Sequence, residues 1–306
     1  MKSYLVRRLS HSAVTLAGVS VLVFVILRVV PGDPAKMLLP EGAPHSAVEE
    51  LNRQLGLREP LWVQYGIFLR SVVRGDFGQS FQYRAPALQV VVERLPATLD
   101  LTLAAMVLTI AFGVSIGIVA AVRQGTGYDY TSTVLAVLGQ SLPNFWLGIM
   151  LVLLFGVTLR WLPTSGFHGW QHLVLPSITL AAFPTALVAR LTRSSMLEIL
   201  HRDYIRTGRA KGLAERIVVL RHALKNATIP VLTVIGLQIG TLLGGAVITE
   251  SVFAWPGMGK LVVDAIFFRD FPVVQTILIL SATIFVAINL LVDVLYTFLD
   301  PRIRYT

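Results

Sequence analysis

The sequence contains no cysteine. That absence excludes a disulfide framework, a thiolate metal site and a cysteine nucleophile. Charge is scarce as well: Asp, Glu, Lys and Arg make up 14% of the 306 residues, against roughly 25% in an average soluble domain. So little charge cannot clothe a water-facing surface. With 55% hydrophobic residues, the composition excludes a disordered chain and argues against an ordinary soluble enzyme. Acids are the scarcer sign, 17 against 26 basic residues, for a net charge of +9. A basic chain can serve nucleic acid, an anionic membrane or an acidic substrate, and the position of the charge decides among them.

What the sequence has in abundance is long apolar runs. Six stand out: Leu9–Leu27, Leu101–Val122, Thr131–Leu159, Leu173–Ala189, Asn226–Thr249 and Phe271–Val292. A helix of roughly 20 apolar residues crosses a bilayer core, and soluble core helices are seldom so long and so apolar all round. The fold class is therefore an all-α integral membrane protein with six transmembrane helices. The first run follows Lys2, Arg7 and Arg8, as a signal peptide would. It exceeds the usual ~7–15-residue apolar core, lacks a small-x-small cleavage site, and ends at Arg28 and the turn Pro31-Gly32-Asp33-Pro34. It reads as an uncleaved first helix.

Six spans place both termini on one side. That side holds 15 basic and five acidic residues, and nine of the basic ones lie between Arg190 and Lys225. Once the long loop from Arg28 to Ala97 is set aside, the opposite side keeps only Arg160, Lys260 and Arg269. Short basic loops stay cytoplasmic, so both termini are expected inside. The organisation follows: residues 1–30 form the N-terminal segment and first helix, and 31–97 an extracytoplasmic loop. Residues 98–299 form a five-helix core with a cytoplasmic loop at 190–225, and 300–306 a cytoplasmic tail.

The 70-residue outer loop is too long for a plain connection. Leu51, Leu55, Tyr65 and Leu69 give its Ser46–Val73 segment helical spacing, and the turn Gly75-Asp76-Phe77-Gly78 breaks it. A structured cap over the first helix and a docking surface for an outer partner both fit, and composition favours the cap. The inner stretch reads as a short helix over Asp203–Lys211, a turn at Gly212, and a second helix leading back to the membrane near Pro230. Such a basic amphipathic piece suits either anionic headgroups or a groove on a soluble protein.

Chemistry-bearing motifs are few. Gly257-Met258-Gly259-Lys260 is the nearest match to a phosphate loop, but Ala254 replaces the leading glycine and Leu261 the magnesium-holding hydroxyl. His168 and His172 lack a third ligand and an HExxH glutamate. No catalytic, metal or cofactor site is expected. Within the spans, Asn144 follows Pro143 mid-helix, and Gln238 lies among Gly236, Gly240, Gly244 and Gly245. Both suit helix packing through interhelical hydrogen bonds, or alternatively a polar lining for a solute path. Asp293 is the one acid near a span end with no role assigned. These residues alone leave open a stand-alone channel or secondary transporter.

The inner stretch Asp203-Tyr204-Ile205-Arg206-Thr207-Gly208-Arg209-Ala210-Lys211-Gly212-Leu213, with His222-Ala223-Leu224-Lys225-Asn226-Ala227, resembles the cytoplasmic "EAA" loop of bacterial ABC importer permeases. Further segments are similar to the dipeptide/oligopeptide/nickel branch of that family, which also carries glutathione. They are Arg7-Arg8 with Pro31-Gly32-Asp33-Pro34, Leu55-Gly56-Leu57, Gly75-Asp76-Phe77-Gly78, Glu250 with Trp255-Pro256-Gly257, Arg269-Asp270, and Asp300-Pro301-Arg302. The resemblance implies a type I importer permease fold in the bacterial inner membrane. It implies a second homologous permease subunit, two cytoplasmic ATP-binding subunits and an extracytoplasmic solute-binding protein, with membrane lipid around the spans and no nucleic acid. ATP would be bound by the partner subunits and no cofactor by this chain. Tyr204, Arg206, Thr207, Gly208, Arg209, Ala210, Lys211 and Gly212 would couple to the ATPase, and the outer loop would meet the binding protein. Arg206-Thr207-Gly208 stands where the broader motif has Glu-Ala-Ala. Gly208 weakens the coupling helix by up to about 1 kcal/mol, so that helix is expected to need its partner to form fully.

Overall fold

A computed structural model describes residues 2–29, 44–46, 49–50 and 59–299. The described residues are helical apart from connections and one isolated β-bridge, Gln79 to Pro86. They fall into two compact units, one drawn from residues 1–96 and 260–287, the other from 97–259 and 288–304.

The first unit contains α1 (Lys2–Val29), α2 (Leu61–Arg74), the start of α3 (Ala87–Val122), most of α10 (Met258–Phe267) and the N-terminal part of α11 (Phe271–Leu299). Pro60 precedes α2, where a missing N–H costs nothing, and Gly75 closes it at φ +72° with its N–H turned back to the last carbonyls. The buried face of α2 is aromatic. Phe68 packs with Val23, Phe24 and Ile279, and Tyr65 meets Phe24 edge-on at 5.2 Å. The Tyr65 hydroxyl pairs with Ser20 at 2.9 Å, and Arg28 donates to Gln64 at 2.8 Å. Val23 and Ile279 belong to apolar spans, so α2 is anchored on spanning helices rather than standing clear of them. Asp270 is fully buried just before α11, where it accepts hydrogen bonds from the Ser80 hydroxyl and the Gln82 N–H.

The second unit holds the rest of α3, α4 (Gly127–Ser141), α5 (Asn144–Leu151) with a π-helical continuation to Thr158, and α6 (Trp170–Leu200). After these come α7 (Asp203–Ala210), the short α8 (Glu215–Ile217), a π-helical stretch Val218–Ala223, and α9 (Leu224–Val252). Its main core gathers Leu101, Met106, Leu180, Val188, Val231 and Trp255. The backbones of α3 and α6 approach closely at Gly117, where a Cβ would lie 2.5 Å from the Thr192 Cβ and 2.6 Å from the Ala189 carbonyl. Small residues let spanning helices meet in this way.

Among the described residues five helices are long and apolar enough to cross a membrane, and a bent pair brings the number to six when it is taken as one span. The bend corrects the reading of Thr131–Leu159 as one straight span. α4 and α5 meet at 106° across Leu142-Pro143. Pro143 has no N–H to continue the ladder and sits in extended backbone at φ −62°, ψ 133°. The fourth span also outgrows its apolar run. α6 is one 31-residue helix that continues beyond Ala189 to Leu200 and keeps Pro176 and Pro184 inside it.

Candidate coupling site and membrane pathway

α7 is short, and its position explains how it holds its shape. Ile205 is its one buried residue, 1% exposed. It inserts among Ala121, Met196, Leu200, Val218, Val219, Ala223 and Ala227, which come from α3, α6, the π-helical stretch and α9. Arg202 precedes the helix in extended backbone, and Asp203 places a carboxylate in its first turn, where the helix dipole favours it. Gly212 ends it at φ +76°, a conformation that glycine adopts without strain.

The other side chains of α7 face outward. Tyr204, Arg206, Thr207, Arg209 and Ala210 are exposed, as are Lys211 and Gly212 just beyond, and Gly208 is half-buried. Two contacts brace the turn that follows. Arg209 grips the Glu215 carboxylate with Nε at 3.1 Å and Nη2 at 2.7 Å, and these bonds hold the Arg209 pKa above its ordinary value. Asn226 donates to the Tyr204 hydroxyl at 2.9 Å, tying α7 to α9. The eight residues expected to couple thus lie together on one knuckle, and Gly208 meets only the Leu213 side chain, at 3.6 Å from where its Cβ would be. α7 is helical over Asp203–Ala210 with Gly208 inside it. Burial of Ile205 and the Arg209–Glu215 pair supply what helix propensity lacks.

The two pathway candidates are placed differently. Asn144 does not sit mid-helix: it opens α5 after the bend and is half-buried. Gln238 lies within α9, 7% exposed, and accepts from the Thr241 hydroxyl at 2.5 Å. α5 and α9 pack on one another, but no hydrogen bond joins Asn144 to Gln238.

Polar groups that spacing did not single out are more deeply embedded. Glu250 is fully buried near the end of α9 and accepts from the Thr98 hydroxyl at 2.7 Å, while the same hydroxyl accepts from the Met258 N–H at 2.8 Å. The Trp255 indole donates to the Ala97 carbonyl at 2.8 Å. Gly257 lies against this carboxylate so closely that a Cβ would fall 2.2 Å from Glu250 Oε1. At the other end of the unit, Arg193 of α6 holds Asp129 of α4 with Nε at 2.6 Å and Nη2 at 2.9 Å, and Asp129 also accepts from the Gly125 N–H. The partners are 152 and 64 residues apart, beyond any spacing rule. The sequence signals were the lone acid at the end of an apolar run at Glu250 and its place, with Trp255-Pro256-Gly257, among the segments that carry the resemblance.

Residues 113–305 match the family described as "Binding-protein-dependent transport system inner membrane component", and residues 1–102 match its N-terminal counterpart. The chain belongs to this family. It is 44% identical to the dipeptide transport system permease protein DppB of Alkalihalophilus pseudofirmus, with all of both chains covered. It is 46% identical to the glutathione transport system permease protein GsiC of Escherichia coli K12, again over the full length of both. Among solved structures, the inward-facing MetNI methionine ABC transporter matches with a TM-score of 0.60 at 19% identity, covering 69% of this chain and 97% of the other. That likeness supports the importer permease fold. The protein is a multi-pass membrane permease subunit of a binding-protein-dependent ABC importer, a family whose members work with separate ATPase and substrate-binding partners and carry no ATPase site of their own.

Proposed function

We propose that this permease passes peptides, or solutes of similar size such as glutathione or nickel chelates, into the cell as one half of a pathway completed by a second homologous permease. Two cytoplasmic ATP-binding subunits power the importer, one of them docking on α7 of this chain; an extracytoplasmic binding protein delivers the solute, and both termini face the cytoplasm. ATP is bound by the partner subunits and the chain holds no cofactor. The observation that carries the reading is the knuckle itself. One buried isoleucine pins a helix whose remaining surface, from Tyr204 to Gly212, is turned outward at the tips of two membrane helices. When the ATPases close on ATP, α7 moves with them, and because Ile205 ties α7 to α6 and α9 the spans follow. Asn144, beside the bend, and Gln238, in α9, are the candidate path-lining groups.

The test replaces Arg206 and Gly212 in the assembled importer. Uptake and binding-protein-stimulated ATP hydrolysis should fall together while assembly stays intact. Wild-type rates in both would remove α7 from the coupling role. The solute is identified from the ligand that co-purifies with the partner binding protein.

A further inference from the structure

A cleft between α3, α4 and α6 changes character along its length. Its larger part, about 550 Å³, is walled by Leu108, Phe112, Leu135 and Ile178 with alanines between them. It continues into a smaller cavity of about 190 Å³ that shares Ile116, Ser132, Ala136 and Ala189 with it and ends on Arg190 and Arg193. All of these residues belong to one compact unit. On α3 the lining runs from Leu108 to Ala120, roughly 18 Å along a helix axis and so close to the depth of one leaflet. Arg193 is committed to Asp129. Arg190 is exposed and has no acidic partner among the described residues, so the basic end carries an excess positive charge.

We propose that this cleft binds an anionic phospholipid, one acyl chain lying along the apolar walls and the headgroup phosphate held by Arg190. A guanidinium pairs with phosphate through two parallel hydrogen bonds, and basic pockets between spanning helices attract anionic headgroups. A peptide pathway would need groups that can replace water along its walls, whereas the larger part of this cleft offers only the hydroxyls of Ser132 and Thr185 among hydrocarbon. A helix of a second permease would cover the apolar walls and leave the Arg190 charge unanswered. The leaflet is the inner one under the orientation proposed above, and the headgroup chemistry is the same in either.

The absence of cysteine makes the test direct. Leu135, on the cleft wall and 58% exposed, is replaced in a Leu135→Cys variant and labelled with a fluorophore. The importer is assembled with cysteine-free partner subunits in nanodiscs of phosphatidylethanolamine and phosphatidylglycerol. Brominated phosphatidylglycerol should quench the probe more than brominated phosphatidylethanolamine at equal mole fraction, by about fivefold for one basic side chain near the surface. Arg190→Gln, at an exposed site, should abolish that preference, and Arg190→Lys should keep part of it. Equal quenching by both lipids, or a preference that survives Arg190→Gln, overturns the proposal. Crosslinking of the Leu135→Cys thiol to the second permease, or its protection by transported solute, also overturns it and reassigns the cleft to an interface or to the pathway.

Discussion

Replacing Ile205 by alanine should disconnect the coupling helix without touching the surface it offers. The side chain is 1% exposed and lies among eight buried residues of its cluster, itself included. Truncation removes three carbon groups at about 0.8 kcal/mol each and leaves a cavity, for roughly 2–4 kcal/mol of lost anchoring. At about 1.4 kcal/mol per decade, the equilibrium constant for docking α7 falls by roughly 30- to 700-fold. An eight-residue helix is too short to persist by itself in water, so the undocked segment also loses its helix. In proteoliposomes holding the complete importer, basal ATP hydrolysis should persist, while stimulation by loaded binding protein and solute uptake should drop together. Ile205→Val should retain most of both. If Ile205→Ala keeps wild-type uptake at normal assembly, the idea that α7 acts through this single buried contact is wrong.

Three further outcomes follow from the buried polar groups. Gly257→Ala places a methyl 2.2 Å from Glu250 Oε1, and size-exclusion chromatography in mild detergent should show little monodisperse protein. Thr98→Val removes both the Glu250 and the Met258 bonds of one hydroxyl. At about 1–3 kcal/mol per buried group left unpaired, it should lower the thermal midpoint of the purified protein clearly, and Thr98→Ser should restore it. Arg193→Ala strips the partner from Asp129, whose side chain is 6% exposed while the arginine is 31% exposed. Solvent at the arginine reduces the loss to roughly 1–3 kcal/mol, and the double variant Asp129→Asn/Arg193→Gln should melt higher than Arg193→Ala alone.

The spans were legible because hydropathy over 20 residues needs no knowledge of tertiary contacts. The short helix and turn from Asp203 to Gly212 were legible because their parts are neighbours in sequence. Direction was not legible. Leu142-Pro143 turns the chain by 106°, whereas Pro96, Pro176, Pro184 and Pro230 lie inside continuous helices. Inside a membrane, neighbouring helices can re-satisfy the groups that proline frees, so proline alone does not announce a break. Ile205 escaped notice as the anchor because its apolarity blends with that of Ile199, Leu213 and Ile217. The Thr98–Glu250 and Asp129–Arg193 pairs depend on which helices meet, and that is decided only by the packing.

The length of α6 has a mechanical consequence. The helix runs eleven residues past Ala189 to its end at Leu200, about 16 Å of straight helix. After α7 the chain returns through α8 and the π-helical stretch into α9. A tilt of about 10° at the membrane surface moves the tip of a 16 Å lever arm by about 3 Å, and the reverse conversion gives the partner the same mechanical advantage. Bending within those eleven residues would absorb the stroke before it reached the bilayer. Under the coupling proposed above, stiffness between Ala189 and Leu200 acts in series with the Ile205 contact at the tip in setting how much of the ATPase movement becomes rotation of the membrane helices.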